Sequence, residues 1–314
     1  MPRIPRDVLG CVAYLYESEE DARSGAAFGG TAFLVSVPTP IPGIAFVYAV
    51  TNWHVAMDAG ASVLRINTTD GQADIFPFEP HEWHTDGIHD IAVINIDGIN
   101  AERHQARVVP IEMFVTRDDL GELEIGEGED VYMVGRFVDH DGGSLNRPSV
   151  RFGNLSVMPT PVQQPEHLGL TDAYCIDLHS RSGYSGSPVF IYRLPMVDLV
   201  GQRPEKRRYT PGAIRLPLLP DLVHKFLGIH FGQFPEWFEL NEAGSSQVQT
   251  KEGDVPLLQG AQIQGLSGMT CVLPSWAILD VLNSPKLTNE RENDLKELAA
   301  RLVREGKVPP FPEG

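Results

Sequence analysis

Three short segments hold residue types that together could act on an acyl group. They are Ala49-Val50-Thr51-Asn52-Trp53-His54-Val55, His89-Asp90-Ile91-Ala92-Val93 and Ser182-Gly183-Tyr184-Ser185-Gly186-Ser187-Pro188. A serine hydroxyl is a poor nucleophile at neutral pH and needs a general base to take its proton. A histidine can take that proton and return it to a leaving amine, while a carboxylate behind it fixes the tautomer and stabilises the imidazolium. His54, Asp90 and Ser185 are the candidates for these three roles. The developing oxyanion needs two backbone N–H groups that point the same way. The amides of Gly183 and Ser185 are assigned to it, because a glycine reaches the required backbone angles without steric cost. Such donors are typically worth about 2.7–4 kcal/mol each.

The elements that must position these groups are short strands. Residues 29–37, 46–51, 62–67 and 91–96 read as strands rich in β-branched residues, and 130–135, 149–152, 173–178, 188–192, 226–231 and 268–273 continue the series. His54 follows a strand, Asp90 precedes one, and Ser185 sits in a glycine-flanked turn before another. With 30 glycines and 25 prolines marking turns, the expected class is all-β, a sandwich or barrel. Two helices are expected at the end: 276–282, capped by Ser275, and about 289–305, closed by Gly306. The acidic segment 118–129 reads as a linker. Residues 193–225 and 233–260 read as long insertions.

Composition narrows the function. The net charge of −17, from 25 basic and 42 acidic residues, opposes binding to nucleic acid or an anionic membrane surface. No run of 18 apolar residues predicts a spanning helix. The start has no apolar leader-like stretch, and three scattered cysteines make no disulfide framework, so a cytoplasmic location is expected. Cys175 and Cys271 lie in apolar runs and read as core. No metal or other cofactor is expected. His81, His84 and His89 lack the helical H-E-x-x-H register, and the acidic run 122–130 lacks the alternation of a calcium loop. Gly183 to Ser187 comes near the G-x-S-x-G elbow of α/β-hydrolases but departs from it at Ser187. That fold also orders its triad Ser, Asp, His, whereas here the order is His, Asp, Ser.

That order, with Thr-Asn-Trp-His-Val, Asp-Ile-Ala-Val and Gly-Tyr-Ser-Gly-Ser-Pro, resembles the trypsin/chymotrypsin superfamily over about residues 28–283. It is most similar to the disulfide-poor bacterial branches, the HtrA-like peptidases (here without room for a PDZ domain) and the glutamyl endopeptidases. The resemblance implies two six-stranded Greek-key β-barrels with a C-terminal helix. Residues 1–130 would form the barrel carrying His54 and Asp90. Residues 131–285 would form the barrel carrying Ser185 and the specificity pocket, and 286–314 a helical tail packed on a barrel or on a partner. It also implies a serine endopeptidase acting on a peptide or protein substrate. Gly228-Ile229-His230-Phe231-Gly232 resembles the pocket strand of glutamyl endopeptidases, which implies a P1 preference for Glu or Gln. His230 would then donate to the substrate side chain with Ser180 assisting, and His179 is a rival pocket residue. Tyr184 departs from the Asp or Asn usual before the nucleophile. This departure and the insertions fit an alternative: a latent or inert protease-fold module gated by a regulatory protein partner or by homo-oligomerisation.

Overall fold

Alternation along the strands explains the architecture of the computed structural model. It describes residues 4, 6–26, 29–100, 102–140, 142–165, 168–178, 183–193, 223–239, 247–250, 253–256 and 262–304. The N-terminal half is a seven-stranded sheet of β1 (Val12–Tyr16), β2 (Thr31–Pro38), β3 (Ala45–Thr51), β4 (Val63–Asn67), β5 (Ala73–Phe76), β6 (Ala92–Asn95) and β7 (Val109–Pro110). Its order is β5-β4-β1-β2-β3-β6, with β7 beside β2. A reciprocal bridge between His84 and Val93, both N···O distances 2.8 Å, links the chain beyond β5 back to β6. The C-terminal half is β8 (Asp130–Gly135), β9 (Ser149–Gln163), β10 (Leu170–Asp177), β11 (Pro188–Arg193), β12 (Val223–Glu239) and β15 (Gln262–Pro274). These close into a barrel in the order β10-β15-β12-β11-β8-β9, and β13 (Gln247–Thr250) pairs with β14 (Gly253–Pro256) as a separate hairpin. In both halves the fourth strand returns beside the first, in β4-β1-β2-β3 and in β11-β8-β9-β10, which is the Greek-key pattern.

Odd and even residues of the central strands enter different cores. Ala13, Leu15, Ala32, Leu34, Ala49 and Ala92 fill the inside of the N-terminal sheet, where small side chains suit a narrow interior. Val131, Met133, Val189 and Ile191 fill the C-terminal barrel. The alternate residues, among them Tyr14, Tyr16, Phe33, Val50, Tyr132 and Phe190, enter a third core that joins the halves. Phe226 anchors this seam, with its ring 4.6 Å from Phe114, 5.2 Å from Phe33 and 5.6 Å from Phe190. Burial of both faces gives β1 an unbroken buried pattern, without the alternation that marks a half-buried strand. Neither β1 nor β5 is among the expected strands.

Several other expectations are revised. Residues 233–239 continue β12, with 235–239 paired to 262–266 of β15 in a long ribbon, so the start of the expected insertion 233–260 is strand. The acidic segment 118–129 includes most of a short helix, Arg117–Glu122. It opens on a Thr116–Asp119 capping box, in which each side chain meets the other's backbone N–H. Ser275 is not a cap. The helix Ser275–Leu282 starts after Pro274, and the Ser275 hydroxyl donates instead to the Val115 carbonyl at 2.5 Å. The last helix, Pro285–Arg304, begins four residues early because proline suits a first helical turn. It packs back on the N-terminal sheet, burying Leu287 and carrying Arg291 to the Tyr48 hydroxyl at 3.3 Å. Gly306 lies outside the described residues. No helix among the described residues is long and apolar enough to cross a membrane.

Candidate active site

β3 ends at Thr51, and the chain passes through Asn52 into a π-helical turn, His54–Asp58, closed by Ala59 N–H to His54 O at 2.9 Å. Such turns recur at functional sites. His54 is held twice by one carboxylate. Its backbone N–H donates to Asp90 Oδ1 at 2.9 Å, and its Nδ1 lies 2.7 Å from Asp90 Oδ2. The Asp90 side chain is fully buried, whereas that of His54 keeps 26% of its surface exposed. An acid-side ring nitrogen buried against the carboxylate, with the rest of the ring open, leaves Nε2 as the nitrogen available for proton transfer. Asn52 Nδ2 donates to the Asp90 carbonyl at 2.9 Å, and Gln164 Oε1 accepts the Asp90 N–H at 2.8 Å.

The turn carrying Ser185 docks on the first residue of β2. Thr31 N–H donates to Ser185 O at 2.9 Å, and Thr31 Oγ1 donates to Gly183 O at 2.7 Å while accepting Arg136 N–H at 3.0 Å. Thr51, three residues before His54, donates to Thr31 O at 2.7 Å. The turn carrying Ser185 is therefore seated on the strand ends that present His54. Gly186 makes this seat tight, since a Cβ on it would fall 1.9 Å from Thr31 O and 2.5 Å from Thr51 Oγ1. Gly183 has φ +94°, in the region that favours glycine. Gly186 N–H and Ser187 N–H are used by His230 O and Tyr184 O, whereas the N–H groups of Gly183 and Ser185 have no acceptor among the described residues. Two unengaged amides flanking a partly exposed serine make an arrangement that can receive an oxyanion. Among the described residues none of the hydrogen bonds joins His54 to Ser185; bonds of this kind commonly tighten only in the substrate complex.

Tyr184 has a structural explanation for standing where Asp or Asn was expected. It is fully buried and turns into the C-terminal barrel, where its hydroxyl meets Ser149 Oγ and accepts from Arg151 Nε at 3.1 Å. The Arg151 guanidinium also lies over the Tyr184 ring, 5.5 Å from its centre.

His230 lies on β12 within the same turn network, its N–H donating to Ser187 O at 2.9 Å and its Nδ1 3.2 Å from Cys271 O. Burial pushes its pKa down to about 4, so the imidazole is neutral at ordinary pH. This has a stability consequence. The unfolded chain takes up the proton near pH 6.5, but the folded protein refuses it until about pH 4. Stability is therefore undiminished above pH 6.5 and falls as pH drops from 6.5 to 4, by about 3 kcal/mol in total. Urea denaturation across that range is expected to show a shallower acid loss in His230→Gln than in wild type. Equal slopes in the two proteins would refute the assignment.

His179, Ser180 and Arg181 lie outside the described residues, as do residues 194–222. Burial also pushes the thiols of Cys11 and Cys271 up to about 12 and raises that of Cys175, so all three are protonated core side chains. Among the described residues no group of three or more His, Cys, Asp or Glu is arranged to hold a metal ion. Of the residues that tie the site together, Thr31 and Gln164 carry no sequence signal, and Asn52 lies inside the histidine motif without a role legible there.

Residues 30–193, more than half of the chain, match the model of the trypsin-like peptidase domain, and the chain belongs to that family. It is a trypsin-like serine endopeptidase. Solved structures with similar traces include the MamO protease domain from Magnetospirillum magneticum in its apo form, at 13% identity and TM-score 0.46, covering 87% of this chain and 96% of that one. The HtrA-type protease AlgW with a decapeptide is 19% identical at TM-score 0.42, covering 82% of this chain and 51% of that one. Rv3671c from M. tuberculosis H37Rv, an inactive form, is 17% identical at TM-score 0.41, covering 87% and 85%. A search of the curated proteins finds no match.

Proposed function

We propose that His54, Asp90 and Ser185 are a catalytic triad that cleaves peptide bonds through an acyl-enzyme. Ser185 Oγ attacks the substrate carbonyl carbon as His54 Nε2 takes its proton. The carbonyl oxygen becomes an oxyanion facing the amides of Gly183 and Ser185. His54 then gives the proton to the leaving nitrogen as the C–N bond breaks. Water repeats the sequence on the acyl-enzyme to release the acid. The observation that carries this reading is the double hold of Asp90 on His54, at 2.9 Å and 2.7 Å, beside a glycine turn whose two relevant amides lack an acceptor among the described residues. The test is labelling with a fluorophosphonate probe. Wild type is expected to label and Ser185→Ala and His54→Ala are not; absence of labelling in wild type would favour the latent-module reading.

His230, 2% exposed on the strand beside the Ser185 turn, remains the proposed P1 contact for a Glu or Gln side chain. A panel of otherwise identical peptides is expected to give kcat/KM for Glu or Gln above Leu at pH 7, by roughly tenfold for one hydrogen bond to a polar partner. Leu better than both would discard His230 as the P1 contact.

A further inference from the structure

We infer that Gln164 is a positioning residue that holds Asp90 in line with His54 from the opposite half of the molecule. The inference rests on the triad reading above.

Gln164 follows β9 at the rim of the C-terminal barrel, whereas Asp90 precedes β6 of the N-terminal sheet. The Gln164 side chain, only 4% exposed, crosses between them. Oε1 accepts the Asp90 N–H at 2.8 Å, and Nε2 donates to Ile88 O at 2.9 Å and to Leu168 O at 3.4 Å. These partners fix the amide orientation, because a flip would set N–H against N–H and oxygen against oxygen. The loop it grips is short and closed on itself. Asp86 Oδ1 accepts the N–H groups of Ile88 and His89, each at 2.9 Å, and Ile91 N–H donates to His89 O at 2.7 Å.

Every polar group of Asp90 is thereby assigned: N–H to Gln164, carbonyl to Asn52 Nδ2, Oδ1 to the His54 amide and Oδ2 to His54 Nδ1. Three of the four ties come from residues 52–54 beside the same sheet. Among the described residues Gln164 alone ties Asp90 by a hydrogen bond to the half that carries Ser185. Without it, the Asp90 loop can shift behind His54, whose own strand end stays seated under the Ser185 turn through Thr51 and Thr31, and the buried Asp90 N–H loses its partner. A displacement near 1 Å at the chemistry costs about 10²-fold in rate.

Two variants separate this role from general packing. Gln164→Met keeps the length and removes all three hydrogen bonds; Gln164→Glu keeps an acceptor for Asp90 N–H and removes both donors. Two readouts are compared with wild type: the fluorophosphonate labelling rate, and the low-field proton NMR signal of the His54 Nδ1–H to Asp90 hydrogen bond. Gln164→Met is expected to label about 10²-fold more slowly and to broaden or lose the low-field signal. Gln164→Glu should fall between it and wild type, and a peptide substrate should show the loss in kcat rather than KM. Wild-type rate and signal in a folded Gln164→Met, or in Gln164→Glu if the Met variant does not fold, would overturn the inference. Absence of wild-type labelling would overturn the triad reading instead, and the low-field signal would still decide whether Gln164 holds Asp90.

Discussion

Ser185→Ala is expected to abolish fluorophosphonate labelling and to lower kcat on a peptide substrate by about 10⁶-fold, with the fold intact. The substitution removes one oxygen from a partly exposed position and touches none of the backbone bonds that seat the turn. Thr31 still meets the carbonyls of residues 183 and 185, and Gly186 still meets His230. Stability should therefore change little, while the covalent route disappears. His54→Ala should cost nearly as much, since an unassisted hydroxyl is a weak nucleophile. The double variant is the decisive comparison. If the two residues act as one unit, it will be about as slow as either single variant, with a residue of roughly 10³–10⁴-fold over water from the oxyanion amides and binding. Losses that multiply would mean that His54 and Ser185 act independently, and the triad reading would fail.

The parts of this site that the sequence discloses are the local ones. His54, Asp90 and Ser185 stand in short motifs because each needs a particular neighbour: a strand end, a strand start, or a glycine at positive φ such as Gly183. What holds the motifs together is not local. Thr31 reaches Gly183 across 152 positions and Gln164 reaches Asp90 across 74, and neither contact leaves a period or a spacing to read. β1 escapes for a different reason. Period-2 reading detects strands with one wet face, and both faces of Val12–Tyr16 are buried, one against Ala13 and Leu15's core and the other against the seam between the halves. Ser275 misleads because its pattern fits a cap, but the Val115 carbonyl offers the hydroxyl a buried partner from 160 positions away. Tyr184 shows as a departure from the usual Asp or Asn, but only its contacts with Ser149 and Arg151 explain what it does there.

Asp90→Asn is the second large effect, and its size follows from hydrogen-bond direction rather than charge alone. Asp90 Oδ1 accepts the His54 N–H and Oδ2 faces His54 Nδ1, so the carboxylate acts twice as an acceptor. An asparagine has one acceptor oxygen and one N–H2. The backbone N–H of His54 cannot change its role, so the oxygen is expected to stay there and the N–H2 to turn toward Nδ1. That donor forces Nδ1 to accept, which moves the ring hydrogen to Nε2, the nitrogen that must take the Ser185 proton. The base is then already protonated on its working side. Serine proteases typically lose about 10⁴-fold in kcat on this substitution, and the same loss is expected here, with KM nearly unchanged because Asp90 is fully buried. The labelling rate should fall in parallel, and the low-field His54 proton signal should vanish even though the ring stays in place. A kcat within about tenfold of wild type, on a variant shown to be folded, would mean that Asp90 does not set the tautomer. Loss of the low-field signal without loss of rate would place the hydrogen bond in the fold and outside the reaction.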